Sequence, residues 1–338
     1  MIAEVLSTHT PALFETAVKR ATELLRAGEV VALPTETVYG LAANALDEKA
    51  VAKIFQIKGR PANNPVIVHV VGAEMAGRCV TAWPDAAEKL ARAFWPGPLT
   101  LVLPCAKNIP SVVTAGGQTV GVRWPGHPFI QAVIRECDFP LAAPSANLSS
   151  RVSPTNAGHV RQQLGDKISL IVNGGQSQVG IESTVLDLTV SPPQILRPGM
   201  IHAESLAAVM GEVRSLKSEA GSESVKTLPS PGLLKKHYSP KARLLILSWH
   251  SDADLKSQIA NYRSQIAGCQ IIAHTRIPAE FGATSVSVIP HDAEAFARAI
   301  YAELHRCDAA GAELIVVEAP PASPEWAGIA DRLRRAAA

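Results

Sequence analysis

The sequence predicts an α/β protein of two domains, a larger mixed and twisted sheet covered by helices, then a smaller parallel β/α unit. Three observations carry this. The chain has 338 residues, and single hydrophobic cores rarely grow past about 250–300. Short β-branched runs alternate with stretches of helical period from Pro11 to Met200. A Ser-, Gly- and Pro-rich stretch without apolar period, "SLKSEAGSESVKTLPSPGLLKKHYSPKAR", then separates that region from a second strand–helix alternation beginning at Leu244. The expected boundaries are 10–201 for the first domain, 202–241 for a linker and 242–338 for the second domain.

The elements follow in order. "PALFETAVKRATELLRAGE" places Ala17, Ala21, Leu24 and Leu25 on one helical face. "VVALPTETVYGLAANAL" begins as a strand and breaks at Pro34 into a polar turn. "DEKAVAKIFQIKG" is a helix with Asp47 as N-cap and Gly59 near its end. Strands are predicted at "PVIVHVV", "LTLVLP", "TVGVRWP", "PLAAPSA", "LIVNGG", "STVLDL" and "QILRPG", and helices at "PDAAEKLARAFW", "HPFIQAVIREC", "TNAGHVRQQLG" and "AESLAAVMG". Beyond the linker, "LLILSW", "QIIAH", "TSVSVI" and "ELIVVEAP" alternate with helical "ADLKSQIANYRSQIAG", "AEAFARAIYAELHRCDAAG" and "AGIADRLRRAA". That order predicts a Rossmann-like parallel α/β domain.

Composition narrows the function. At 47% hydrophobic and 18% charged the chain is globular. A net charge of +2 argues against coating nucleic acid. The five cysteines have no C-x-x-C spacing, which speaks against a zinc module and for reduced thiols. No signal-peptide h-region and no uncharged run of roughly 18–20 residues is visible, so a soluble, cytoplasmic chain without a membrane partner is expected. A phosphate-binding G-x-x-x-x-G-K-[ST], a G-x-G-x-x-G, an H-E-x-x-H and a G-x-S-x-G elbow are all missing.

What remains is a set of polar clusters at predicted strand ends: "PTETVYG", "KGRPANNP", His69, "GVRWPGHP", "APSANLS", "GIESTV" and "LRPG". Lys58, Arg60, Arg123 and Arg197 can surround an anion, with hydroxyls from Thr35, Thr37, Ser145 and Ser183 completing its hydrogen bonds. The plainer readings stay open at this level. Lys58 and Arg60 also suit a solvated helix C-terminus, where cations complement the macrodipole. His69 suits a core histidine and Asn147 a turn. Glu36 and Glu182 are candidate general bases, but nothing in the sequence pairs them. The residues alone indicate an α/β protein that binds an anionic small molecule.

Taken together the clusters resemble the threonylcarbamoyl-AMP synthase family in its two-domain form, a YrdC-like domain followed by a smaller one. The strings are "PTETVYGLAANA", "KGRP", "NPVIVHV", "WPGPLTLVL", "GVRWPGHP", "APSANLS", "SPT", "GIESTVLDL", "LRPG" and "HYSP", in the family's order. The resemblance implies a nucleotidyltransferase that turns L-threonine, bicarbonate and ATP into threonylcarbamoyl-AMP and pyrophosphate. Its product would go, through a downstream threonylcarbamoyl transferase, to adenosine beside the anticodon of tRNA.

The resemblance also implies roles. Lys58 and Arg60 are catalytic and hold ATP phosphates, with Asn64, Thr119, Ser145, Asn147, Ser153, Arg197 and Tyr238 completing the nucleotide site. Thr37, His69, Arg123, Ala143 and Ser183 hold threonine. Mg2+ arrives with ATP, and the protein has no metal site of its own. Tyr238 of "HYSP" is expected to act as a lid, and a tRNA contact is expected from the product's destination. Departures from the pattern are Ser150 where the family usually has glycine, Asn173 where aspartate is common, the bulky Trp124, and "GLLKKHYSP" for the more usual lid string.

A module that binds RNA without turnover is the competing class; the near-neutral charge and the lack of aromatic–basic interleaving weigh against it. A carbamoyl transferase of hydrogenase maturation would need further regions, including zinc fingers, that the cysteine spacing does not provide.

Overall fold

The computed structural model describes residues 2–215, 230–232, 234, 236–260, 268–279 and 285–338. Most of the expected linker stretch, and the second half of the helix expected over 253–268, lie outside the described residues. The chain divides into two compact units: Met1–Ser149 with Ser153–Leu234, and Ser150–Val152 with Lys235–Ala338.

Unit 1 runs β1 (Glu4–Ser7), α1 (Pro11–Arg26), β2 (Val31–Leu33), β3 (Gly40–Asn44), α2 (Glu48–Lys58), β4 (Val68–His69), α3 (Ala73–Cys79), α4 (Asp85–Phe94), β5 (Leu99–Pro104), α5 (Ser111–Thr114), β6 (Thr119–Arg123), α6 (Pro128–Cys137), β7 (Leu141–Ala142), α7 (Ala157–Leu164), β8 (Leu170–Asn173), β9 (Thr184–Asp187), β10 (Gln194–Arg197), α8 (Ala203–Met210) and β11 (Arg214–Ser215). Its strands form one mixed sheet of order β1-β8-β2-β3-β7-β4-β6-β5-β9-β10-β11. Segment 202–215, expected in the linker, adds α8 and β11 to this unit, with β11 parallel to β10.

Local chemistry accounts for the helices. Thr10 caps α1 through a bond from Leu13 N, and Ala17, Ala21 and Leu25 are buried as the period requires. The α1 face packs on α6, where Phe14 meets Phe129 edge to face at 5.2 Å. Asp47 caps α2, and Gly59 ends it at φ 59°, a left-handed turn that glycine adopts without a Cβ clash. Asn156 caps α7 through His159 N.

Two expected strands are shorter than their apolar runs. Only Val68–His69 of "PVIVHVV" and Leu141–Ala142 of "PLAAPSA" keep ladder pairing. Prolines bound both runs and cannot donate to a ladder. The shortening leaves residues 61–67 and 143–149 outside the two strands at adjacent positions, since β4 and β7 are paired antiparallel, with only isolated bonds such as the Gly40–Ser145 bridge and Ala143 N to Ile67 O.

Unit 2 contains β12 (Arg243–Leu247), α9 (Asp252–Ile259), β13 (Cys269–Ala273), β14 (Ser285–Val288), α10 (Ala293–Ala309), β15 (Leu314–Glu318) and α11 (Ala327–Ala336). Its strands are all parallel, in the order β12-β15-β13-β14. The expected parallel α/β domain is present. β15 is central and buried along its whole length, as a strand covered on both faces must be. Ser150 opens the short insertion at φ 64°, the left-handed conformation that explains why glycine is usual at this place in the pattern.

Candidate active site

The site lies in unit 1, where the loops after β2, α2, β6 and β7 meet the turn before β9. Lys58 is the last residue of α2, yet it is only 3% exposed. The solvated-helix-end reading is therefore wrong for it, and for Arg60 at 9%. Lys58 Nζ donates to Ser145 O and Asn147 O, both at 2.5 Å, and reaches Asn147 Oδ1 only at 3.5 Å. Burial, with the Arg60 charge beside it, pushes the Lys58 ammonium well below its usual pKa, while Glu182 acts in the opposite sense.

Arg60 organises its own loop: Nε donates to Asn64 O at 2.9 Å, and Nη2 to Asn64 Oδ1 at 2.8 Å and Pro65 O at 2.5 Å. Asn64 is fully buried, and its Nδ2 has no partner. Ser145 bridges to Gly40. Asn147 is buried and donates through Nδ2 to Leu148 O. Ser153 Oγ donates to Glu182 Oε1 at 2.6 Å, both residues buried. Glu182, which the sequence left unpaired, thus lies with Ser153 and near Lys58.

A second group surrounds Arg123 at the end of β6. Its Nε donates to Gly97 O at 3.2 Å, its Nη1 to Thr37 Oγ1 at 3.0 Å, and its Nη2 to Glu36 Oε1 at 2.6 Å. Thr35 Oγ1 donates to Val38 O at 2.5 Å, so Thr37 is the donor in its 2.9 Å bond to Thr35. The result is a one-way chain, Arg123 to Thr37 to Thr35 to backbone, that fixes the guanidinium plane. His69 is the register partner of Arg123 across β4 and β6. Burial and the Arg123 charge hold its imidazole well below the usual pKa, so it is neutral at pH 7. Its Nδ1 has no partner. Ala143 is buried and donates its N–H to Ile67 O, two residues before His69.

Ser183 ties in a fourth cation, Arg197. Arg197 donates from Nε to Ser183 O and from Nη2 to Ser183 Oγ, each at 3.1 Å, and Ser183 Oγ bonds Thr100 Oγ1 at 2.8 Å. Thr100 also lines a cavity of about 180 Å³, walled by Val66, Ile67, Thr119 and Gly121, with Ser230 and Pro231 at its margin. Arg197 Nη1 reaches Pro231 O at 3.4 Å. Thr119 therefore faces a real cavity, some distance along β6 from Arg123.

From the sequence Glu36 and Glu182 were only candidate general bases without partners, and Thr100 was not singled out. Each is buried or nearly so and makes its bond to a residue more than 25 positions away, a relation that no local pattern records. Tyr238 belongs to unit 2, where its ring stacks on Tyr301 at 6.0 Å and lies 5.3 Å from the Arg332 guanidinium.

Gly199 of "LRPG" controls this geometry through close packing. A Cβ there would stand 2.5 Å from Thr184 N and 2.9 Å from Glu182 O. Gly199→Ala is expected to displace segment 182–184 and to lower stability by about 1–3 kcal/mol. Chemical denaturation checks this, and an unchanged midpoint would show that the segment yields freely.

A family model described as "Telomere recombination" (Sua5_yciO_yrdC) matches residues 23–199. A second, described as "Threonylcarbamoyl-AMP synthase, C-terminal domain", matches residues 201–338. The threonylcarbamoyl-AMP synthase of Pyrococcus abyssi is 39% identical over 322 residues, covering 94% of this chain and 93% of its own. That of Bacillus subtilis is 39% identical over 339 residues, covering 99% and 96%. The crystal structure of P. abyssi Sua5 complexed with L-threonine aligns with a TM-score of 0.90 at 38% identity, covering 100% of this chain and 98% of that one. With both units matched and the relatives covered almost end to end, this chain belongs to the threonylcarbamoyl-AMP synthase family.

Proposed function

We propose that the chain joins L-threonine, bicarbonate and ATP into threonylcarbamoyl-AMP and pyrophosphate. The observation that carries this reading is the set of unpartnered buried polar atoms in the site. Glu36 Oε2, Asn64 Nδ2 and His69 Nδ1 are buried without a hydrogen-bond partner, although native proteins pair nearly all such atoms. An acceptor, a donor and a neutral imidazole, placed around four buried cations, suit a ligand with carboxylate, hydroxyl, amine and phosphate groups.

In this reading Arg123 takes the threonine carboxylate. Three of its five N–H groups are used within the protein, which leaves one on each terminal nitrogen. Thr37, His69, Ala143 and Ser183 line the rest of the threonine site. Lys58, Arg60 and Arg197 neutralise ATP phosphates, with Asn64, Thr119, Ser145, Asn147 and Ser153 as hydrogen-bonding groups. The threonine amine, once deprotonated, joins bicarbonate with loss of water to give a carbamate, and a carbamate oxygen then attacks the α-phosphorus as pyrophosphate leaves. The protein's contribution is to hold two anions against each other, by orientation and fixed charge.

Among the described residues no three His, Cys, Asp or Glu side chains gather where an ion could be held. In this reading magnesium would enter with ATP and would lessen the phosphate charge. The product is an activated acyl adenylate, which a downstream threonylcarbamoyl transferase would pass to tRNA. No described helix is long and apolar enough to cross a membrane, and the reading places the chain with cytoplasmic tRNA modification.

Pyrophosphate release from Mg-ATP, with and without L-threonine and bicarbonate, tests the reading. Release that needs both co-substrates supports it. No release from folded protein, together with salt-dependent RNA binding, would favour the non-catalytic module.

A pH effect follows from Lys58. Its ammonium is held well below its usual pKa in the free protein, and bound phosphate must raise it again. ATP binding is then expected to take up a proton, and ATP affinity to fall as pH rises between the free and bound pKa values. Calorimetry in buffers of different ionisation enthalpy checks the sign, and proton release on binding would refute it.

A further inference from the structure

We propose that Glu36 holds the α-ammonium of the amino-acid substrate, so that Arg123 and Glu36 read a zwitterion as one unit. This rests on the reading of the site as a threonine site and adds a residue to it.

Glu36 pairs with Arg123 through a single oxygen, Nη2 to Oε1 at 2.6 Å. A carboxylate that serves only to neutralise a buried arginine engages the guanidinium fork with both oxygens where it can. Here Oε2 is buried and has no partner. An unpaired buried carboxylate oxygen is costly, and a cationic donor is the partner that best satisfies it.

The groups around Glu36 do not supply that donor. Arg123 is engaged with Oε1, Gly97 O and Thr37. His127, whose pKa burial lowers against the pull of Glu36, accepts from Phe129 N through Nδ1. Gly126 presents only backbone, and a Cβ there would lie 3.4 Å from Glu36 Cδ. The Glu36 backbone is itself tied down by Val179 N, at 2.7 Å. The side chain is therefore held through Oε1 and its backbone, with Oε2 buried and unpaired.

In an α-amino acid the ammonium is attached to the carbon next to the carboxylate. A substrate whose carboxylate sits on the two remaining Arg123 N–H groups brings its ammonium within reach of a carboxylate bound to the same guanidinium. The pair thus selects α-amino acids over hydroxy acids of the same shape, because only the former supply a charged donor to Oε2.

The test is calorimetric binding to the full chain with two ligands, L-threonine and 2,3-dihydroxybutanoate, in which a hydroxyl replaces the ammonium. Wild type is expected to prefer threonine. In Glu36→Gln, threonine affinity should fall roughly 20-fold or more, the loss typical of a charge-assisted bond, while affinity for the dihydroxy acid changes less than about threefold. Equal losses for both ligands would mean that Glu36 only positions Arg123, and no loss for either would mean that it plays no part; both overturn the proposal. If Glu36→Gln does not fold, Glu36→Asp decides, since its retracted carboxylate keeps the charge and should weaken threonine selectively. Failure of the wild type to bind threonine would instead overturn the reading of the site.

Discussion

Lys58→Met is expected to lower threonine-dependent pyrophosphate release by about 10²–10³-fold, the loss typical when one fixed electrostatic donor is removed from a reacting site. Methionine keeps most of the length and an apolar stem, so it largely fills the buried position. The lysine is anchored by two short bonds to backbone carbonyls, while its third hydrogen has only the long 3.5 Å contact with Asn147 Oδ1. That hydrogen and the charge are what a phosphate would meet. The variant also leaves Ser145 O and Asn147 O without their donor, at about 1–3 kcal/mol each, so the thermal midpoint should fall as well. Assaying well below that midpoint separates the two effects. Activity within twofold of wild type would show that Lys58 is structural.

Arg123→Ala should have the other large effect, on both stability and substrate binding. It removes the guanidinium from a buried ion pair whose side chains are 4% and 13% exposed. An uncompensated carboxylate then remains, at a cost of about 3–5 kcal/mol. The threonine KM should rise by about 10²-fold or more, because a buried charged contact is lost. Arg123→Met combined with Glu36→Gln distinguishes the two losses. The double variant removes both charges and should recover much of the stability, since no uncompensated buried charge remains. It should recover none of the threonine binding. Recovery of activity with stability would show that Arg123 touches no substrate.

The order of helices and strands was legible because apolar period and caps are local properties. Asp47 and Gly59 bracket α2 whatever the rest of the chain does, and β-branched runs mark β5, β9 and β15. The strand-end clusters were legible as chemistry too, since Lys58, Arg60 and Arg197 stand beside Gly or Pro and Arg123 lies two residues from each.

Burial at those clusters was not legible. Lys58 at a helix C-terminus has a sufficient local explanation in the dipole, and only the packing of residues 145–147 over it shows that it is enclosed. The pairing of Glu36 with Arg123 spans 87 residues and that of Ser153 with Glu182 spans 29. Such partners are chosen by strand order. The β3-β7-β4-β6 neighbours come from residues 40–44, 141–142, 68–69 and 119–123, so proximity in the sheet has no counterpart in sequence distance. Local backbone preference acts within a few residues and is written in the sequence directly. The electrostatics of the site depends on which charges lose water together, and that is set only when distant strands close.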